Sequence, residues 1–151
     1  AEVAKLYSEP LSNMIMDTPN TLLRILHYPP FNGTEEPGAI RAAAHEDINL
    51  LTILPAANEP GLQVQAQDGQ WLDVPGDFGH LIVNIGDMLQ EASQGYFPST
   101  SHRVINPTGE NSGKSRISLP LFLHPRSEVV LSKNHTQASY LLERLRELGV
   151  K

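Results

Sequence analysis

Apolar residues in this chain come in short runs set off by Pro, Gly and Asn, not in long helical stripes. "TLLRILHYPP" (21–30) reads as one strand stopped by Pro29 and Pro30, since proline offers no N–H to a ladder. A strongly apolar strand is expected from about Asp47 to Leu54. In "GLQVQAQDGQWLDVP" (61–75), Leu62, Val64 and Ala66 alternate with Gln63, Gln65 and Gln67. Asp68-Gly69 supplies a turn, and Trp71, Leu72 and Val74 form the return arm of a hairpin. "HLIVNIGDMLQEAS" reads as a further strand with a turn at Gly86-Asp87. "YFPSTSHRVINP" and "SRISLPLFLHP" supply two more, joined by the polar loop "TGENSGK". Only "TQASYLLERLRELGVK" changes period: Leu141, Leu142, Leu145 and Leu148 share a helical face, with Gly149 as C-cap. Six or seven strands followed by one helix predict a mainly β sandwich or jelly roll, whose mouth is a natural ligand site.

Composition sharpens this picture. The 151 residues suit one domain with a real core, and eleven Gly with twelve Pro favour many turns. The net charge of −6, without a basic run, argues against nucleic acid and anionic membranes as partners. With no Cys, disulfides and thiolate metal sites are excluded, and a reducing cytoplasm is the default compartment. No apolar run approaches the ~20 residues of a membrane span.

The candidate chemistry begins at "AAAHEDINLL" (42–51). On a strand, residues two apart point to one side, so His45 and Asp47 would present an imidazole and a carboxylate together. His102, in "STSHRVIN", starts a later strand that a jelly roll can bring to the same mouth. Two His and one carboxylate on one face of an octahedron leave three adjacent positions open, as non-haem Fe(II) needs for a co-substrate and oxygen. H-x-D is also a common tripeptide, and spacing alone leaves an ordinary polar approach to a strand open. His27, His80, His124 and His135 carry no partner pattern. In "KSRISLPLF", Arg116 and Ser118 share one side of an otherwise apolar strand. A guanidinium directed into a barrel needs an anion, and its planar fork fits a carboxylate. An ion pair with an Asp or Glu at the strand start satisfies the same residues.

Taken together, these segments resemble the Fe(II)/2-oxoglutarate-dependent dioxygenases, most closely the isopenicillin N synthase-like branch. The resemblance runs from about Leu22 to Leu148. It rests on "LHYPP", "HEDINLLTIL", "GLQVQAQDGQWLDVP", "IVNIGDMLQEASQGYFPSTSHRV" and "SRISLPLF". "SQGYFPSTSHRV" is similar to the family's S-N-G-x-(Y/F)-x-S-x-x-H-R-V, with Gln94 where Asn is usual. H-x-D, a distal His and R-x-S in this order form a specific combination.

The resemblance implies a double-stranded β-helix (jelly roll) core with a C-terminal α-helix, as one catalytic domain over 1–151. It implies Fe(II) ligation by His45, Asp47 and His102, and binding of the far carboxylate of 2-oxoglutarate by Arg116 and Ser118. Tyr28 could donate its phenol to that carboxylate, whereas Leu26 stands where the family often has Asn. With molecular oxygen, the implied reaction is hydroxylation or desaturation of a small organic substrate, releasing succinate and carbon dioxide. Asn84 and Gly86 of "NIGD" match the family's tight turn and are read as packing residues. Arg103 is read as a structural or supporting partner of the distal His, and Phe122 as pocket wall or core. Family chains usually carry an N-terminal helical and strand region ahead of the "HYPP" strand. The sequence therefore leads us to expect packing against a missing N-terminal segment and an exposed apolar surface on that side. Two other readings stay open: an oxidase of the isopenicillin N synthase or aminocyclopropane-carboxylate oxidase kind that does not use 2-oxoglutarate, and a catalytically silent jelly-roll binding domain.

Overall fold

A computed structural model describes residues 5–76 and 79–150. The expected domain over 1–151 thus includes residues 1–4, 77–78 and 151, which lie outside the described residues. The elements, in order, are α1 (Leu11–Ile15), β1 (Leu22–Leu23), β2 (Leu26–Tyr28), β3 (Ala42–His45), β4 (Leu51–Pro55), β5 (Leu62–Gln65), β6 (Trp71–Asp73), β7 (Leu81–Ile85), α2 (Asp87–Ala92), β8 (His102–Val104), β9 (Arg116–Ser118), β10 (Leu121–Leu123) and α3 (Gln137–Glu147). A short 3-10 turn spans Gly109–Asn111.

The strands form two four-stranded antiparallel sheets, β1-β10-β4-β7 and β3-β8-β5-β6, with the pair β2-β9 beside them. One cavity is lined by residues of all three groups. This is the expected jelly roll, closed at one flank by helices.

Several strands are shorter than their apolar runs. "TLLRILHYPP" is two strands, and so is "SRISLPLF". Pro120 explains both breaks: it has no N–H for the ladder, so β9 and β10 separate around it. The antiparallel partner divides at the same level, where Arg24 N–H donates to the Pro120 carbonyl at 3.0 Å. β1 then pairs with β10, and β2 with β9. The hairpin is as expected, with Gln65 opposite Trp71 and Gly69 at φ +86° in the turn. In "HLIVNIGDMLQEAS" the expected strand is β7, but Gly86-Asp87 is not a turn: Gly86 caps α2.

The main core lies outside the barrel. Met14, Leu50, Met88, Leu89, Ala92, Val129, Leu131 and Tyr140 are buried together where α1, α2 and α3 meet one end of the first sheet, and Leu51 and Ile85 pack onto them. Inside the barrel the apolar cluster is small: Leu54, Leu62 and Val104. The rest of the first sheet's outer face is bare, with Leu23, Leu81 and Val83 all more than half exposed.

α3 begins with a capping box in which Thr136 and Ser139 satisfy each other's backbone N–H groups. It ends where Gly149 N–H donates to Arg146 O and Val150 N–H to Leu145 O, with Gly149 at φ +73°. Its inward face differs from the expected leucine stripe. Gln137 and Tyr140 are buried and Leu141 packs on the core, while Leu142 and Leu148 face solvent. Arg144 stacks over the Tyr140 ring and approaches Asp87 Oδ2 at 3.7 Å. Burial pushes the Asp87 carboxyl up to about 6.

Before α3, the His135 imidazole lies between Glu91 Oε1 at 3.3 Å and Glu143 Oε2 at 3.2 Å. Hydrogen bonding to Glu91 first, then to Glu143, holds its pKa above the ordinary histidine value. A raised folded-state pKa gives stability that is complete below the unfolded value and lost as pH rises through the folded one. Thermal melts between pH 6 and 8.5 should therefore show a decline that His135→Gln flattens. The site is near the surface, so the effect should be small.

Candidate metal centre and co-substrate pocket

The chain brings His45, Asp47 and His102 together at one end of the second sheet. His45 closes β3 and His102 opens β8, and the two are direct cross-strand partners. A bulge lies between Ala42 and His45 and re-aims the strand end. Asp47 is not in a strand, contrary to the expected span: it lies in the turn between β3 and β4. A turn, not strand alternation, sets its carboxylate beside the imidazoles. Asp47 Oδ1 is 3.8 Å from His45 Nε2 and 3.6 Å from His102 Nε2. One nitrogen or oxygen of each side chain lies within 4.8 Å of the others. Among the described residues this is the one such group of three or more His, Cys, Asp or Glu.

Both imidazoles are oriented alike. His45 Nδ1 is 2.8 Å from the Ala43 carbonyl and His102 Nδ1 is 3.0 Å from that of Thr100. A carbonyl only accepts, so each Nδ1 donates and each Nε2 keeps its lone pair for the centre. These are the supports that metal-binding histidines need and that sequence could not name.

Asp47 is 7% exposed, and its other oxygen is fully engaged. Oδ2 accepts from Thr52 Oγ1 at 2.5 Å and from Asn84 Nδ2 at 2.9 Å. Asn49 Nδ2 in turn donates to Thr52 Oγ1 at 2.9 Å. Asn84 thus has a polar role beyond packing. A buried carboxylate facing two imidazole lone pairs is short of positive charge, and a divalent cation supplies it. The donor set fits such an ion.

The turn carrying Asp47 is fixed by α2. Asp87 N–H donates to Asp47 O at 2.9 Å and Met88 N–H to Asn49 O at 3.1 Å, satisfying donors that a helix N-terminus leaves free. The approach is so close that a Cβ on Gly86 would meet Asn49 Oδ1 at 2.2 Å, Asn49 O at 2.3 Å and Asp47 O at 2.8 Å.

Arg116 and Ser118 lie on the inner side of β9, almost fully buried, while Ile117 between them is exposed. Both line the cavity that the three ligand candidates line, as do Leu26, Tyr28 and Phe122. Arg116 Nε donates to the Glu59 carbonyl at 3.1 Å, but its buried Nη1 has no partner among the described residues. Its guanidinium lies 5.6 Å from the Tyr28 ring centre. Burial lowers its pKa. A 2%-exposed guanidinium with an unpaired N–H group calls for an anion from outside. Arg103 stays out of this site: it stacks on Trp71 at 4.1 Å and bonds Gln63, a structural role.

A family model described as the 2OG-Fe(II) oxygenase superfamily matches residues 19–125. The chain belongs to that superfamily. Gibberellin 2-beta-dioxygenase 1 of Arabidopsis thaliana is 35% identical over 123 residues, which are 76% of this chain and 36% of that protein. Among solved structures, a Shewanella oneidensis protein is 73% identical with a TM-score of 0.85, covering 96% of this chain and 54% of that one. A full-length Neurospora crassa protein in complex with alpha-KG (2-oxoglutarate) is 27% identical with a TM-score of 0.78, covering 89% and 47%. The same Neurospora crassa protein has also been solved with alpha-KG and thymine. The chain thus spans about a third of the length of this curated relative and about half of these structures. Thr52 and α2 are what sequence reasoning on this chain missed. The available signal was a polar residue inside each of two apolar runs, "INLLTILP" and "HLIVNIGD".

Gly86→Ala should displace the Asp47 turn, costing about 1–3 kcal/mol as overpacking does. Denaturant unfolding should show that loss, and metal titration should show weaker binding than in the unmodified chain.

Proposed function

We propose that this chain carries the catalytic centre of an Fe(II)- and 2-oxoglutarate-dependent dioxygenase acting on a small organic substrate. The observation that supports it most is a single cavity holding both a cation donor set and a buried, incompletely paired guanidinium. In this reading Nε2 of His45, Nε2 of His102 and Oδ1 of Asp47 hold iron. Arg116 takes the far carboxylate of 2-oxoglutarate through charge-assisted hydrogen bonds, and Ser118 adds its hydroxyl. Tyr28 backs the guanidinium with its ring and has its phenol available to the same carboxylate.

Bound iron, with 2-oxoglutarate and oxygen, supplies oxidative decarboxylation to succinate and carbon dioxide coupled to hydroxylation or desaturation of the substrate. The protein's own residues position and shield. The backbone carbonyls of Ala43 and Thr100 hold both rings in the orientation and tautomer that turn the Nε2 lone pairs toward the centre. Leu26, Phe122 and Leu54 exclude water around the co-substrate. His45, 48% exposed, marks the open side from which a substrate enters.

A small organic substrate fits the gibberellin dioxygenase by its name and the Neurospora crassa protein by its thymine complex. No helix of the described residues is long and apolar enough to cross a membrane. We read the protein as cytoplasmic and without nucleic-acid or membrane partners, supported by the net charge of −6 and the lack of Cys. The bare outer face with Leu23, Leu81 and Val83 suits a further chain segment of the kind that longer relatives have room for.

The test is anaerobic. Adding Fe(II) and then 2-oxoglutarate should give the visible band of an iron–keto-acid chelate, which fades with succinate release when oxygen is admitted. Asp47→Ala and His102→Ala should abolish the band and turnover with the fold intact. Arg116→Gln should keep iron but weaken 2-oxoglutarate binding about 10- to 100-fold, as loss of one charged hydrogen-bonding partner does. Iron binding without the band would favour an oxidase that does not use 2-oxoglutarate. No iron binding would favour a silent jelly roll.

A further inference from the structure

We infer that Thr52 and Asn84 are positioning residues that commit Asp47 to the metal through one oxygen only. This rests on the metal reading above and adds two residues that it does not assign. Both donors converge on Oδ2, the Thr52 hydroxyl at 2.5 Å and the Asn84 amide at 2.9 Å. The hydroxyl's direction is set from behind. Asn49 Nδ2 donates into Thr52 Oγ1, so the single hydroxyl proton is left for Asp47.

The strand ladder fixes this geometry. Thr52 on β4 and Asn84 on β7 are direct cross-strand partners, and both line the cavity. Thr52 and Asn49 are almost wholly buried, so water does not compete for these bonds. The result is an asymmetric carboxylate: Oδ2 is held by the barrel wall, and Oδ1 is turned to the two Nε2 atoms. A carboxylate with both oxygens free can chelate a cation through both, occupying a position that a co-substrate or oxygen would otherwise take. Two donors on Oδ2 prevent this and also draw charge from the ligating group. Buried polar groups need partners in any case, so satisfaction alone could account for the pair. The two roles differ in what they demand: a positioning role needs the Thr52 hydroxyl, whereas packing needs its methyl and its shape.

The experiment uses Thr52→Val, which keeps shape and removes the donor, and Thr52→Ser, which keeps the donor and removes the methyl. Each is titrated anaerobically with Fe(II). Each is also loaded with Co(II), whose visible absorption intensity reports coordination number. Thr52→Val should bind Fe(II) about 10- to 100-fold more weakly, the usual cost of losing a residue that supports a metal ligand, and should alter the Co(II) spectrum. Thr52→Ser should stay within about 2-fold of the unmodified protein with its Co(II) spectrum, as rescue by the retained hydroxyl requires. Asn84→Ala should shift both readouts in the direction of Thr52→Val, and carries the test if the valine variant fails to fold. Unchanged affinity and spectrum in Thr52→Val or Asn84→Ala would overturn the inference. So would a loss in Thr52→Ser as large as in Thr52→Val. Failure of the metal reading looks different: the unmodified protein would then bind Fe(II) no better than His102→Ala does, which would overturn both.

Discussion

The carbonyl oxygens of Asp47 and Asn49 accept the first free N–H groups of α2, and the geometry of the cavity depends on that joint. A helix N-terminus has donors that its own backbone cannot satisfy, and here the turn carrying a ligand candidate satisfies them. The joint closes only because Gly86 has no side chain: a Cβ there would overlap the turn. It also links two parts of the molecule. Met88 and Leu89, on α2, are buried in the helical core, so the packing of that core holds the Asp47 backbone in place. The carboxylate is then trimmed by the β4–β7 ladder through Thr52 and Asn84. Backbone position comes from one side of the sheet and side-chain orientation from the other.

This arrangement explains why the residues of the site are legible in the sequence when the reason for their convergence is not. Strand periodicity pairs His45 with Asp47, yet the pair is made by a bulged strand end and a turn. Two residues apart on a strand and two residues apart around a turn give the same sequence spacing. Strand lengths are misread for a related reason. Apolar residues flank both breaks, at 24–25 and 119–120, but Pro120 withholds an N–H and the ladder divides there. Hydrophobicity records burial and neighbours, whereas ladder continuity depends on donors. α2 escapes the sequence because six residues are too few to display a helical period. The hairpin at Asp68-Gly69 and the cap at Gly149 are legible, since each depends on local turn chemistry that no tertiary contact overrides.

The clearest signal is polarity inside apolar strands, read in the sequence at Arg116 and Ser118 and unread at Thr52. Thr52, Asn84, Arg116 and Ser118 all sit in runs that otherwise read as core, and all face the cavity. Their apolar neighbours point outward: Ile117 and Val83 are exposed although they flank buried or half-buried polar residues. The usual inside-apolar rule is inverted around the site, and the inversion has a physical reading. A buried polar side chain without a protein partner is costly, so a strand that turns its polar residues inward must meet a ligand, another polar group, or both. Thr52 and Asn84 meet Asp47, whereas Arg116 Nη1 has no partner among the described residues.

Stability and site are consequently housed apart. The large apolar cluster lies between the helices and one end of the first sheet, and among the described residues the buried core within the barrel is Leu54, Leu62 and Val104. A barrel filled with apolar side chains would have no room for a keto acid, and a barrel left hollow could not hold itself together. The helical flank resolves this by supplying burial that the interior does without. It follows that side chains facing the cavity are constrained chiefly by what they hold, and those of α2 and α3 chiefly by what they pack against. Gly86 is where the two constraints meet, at the point where the helical core ends and the ligand turn begins.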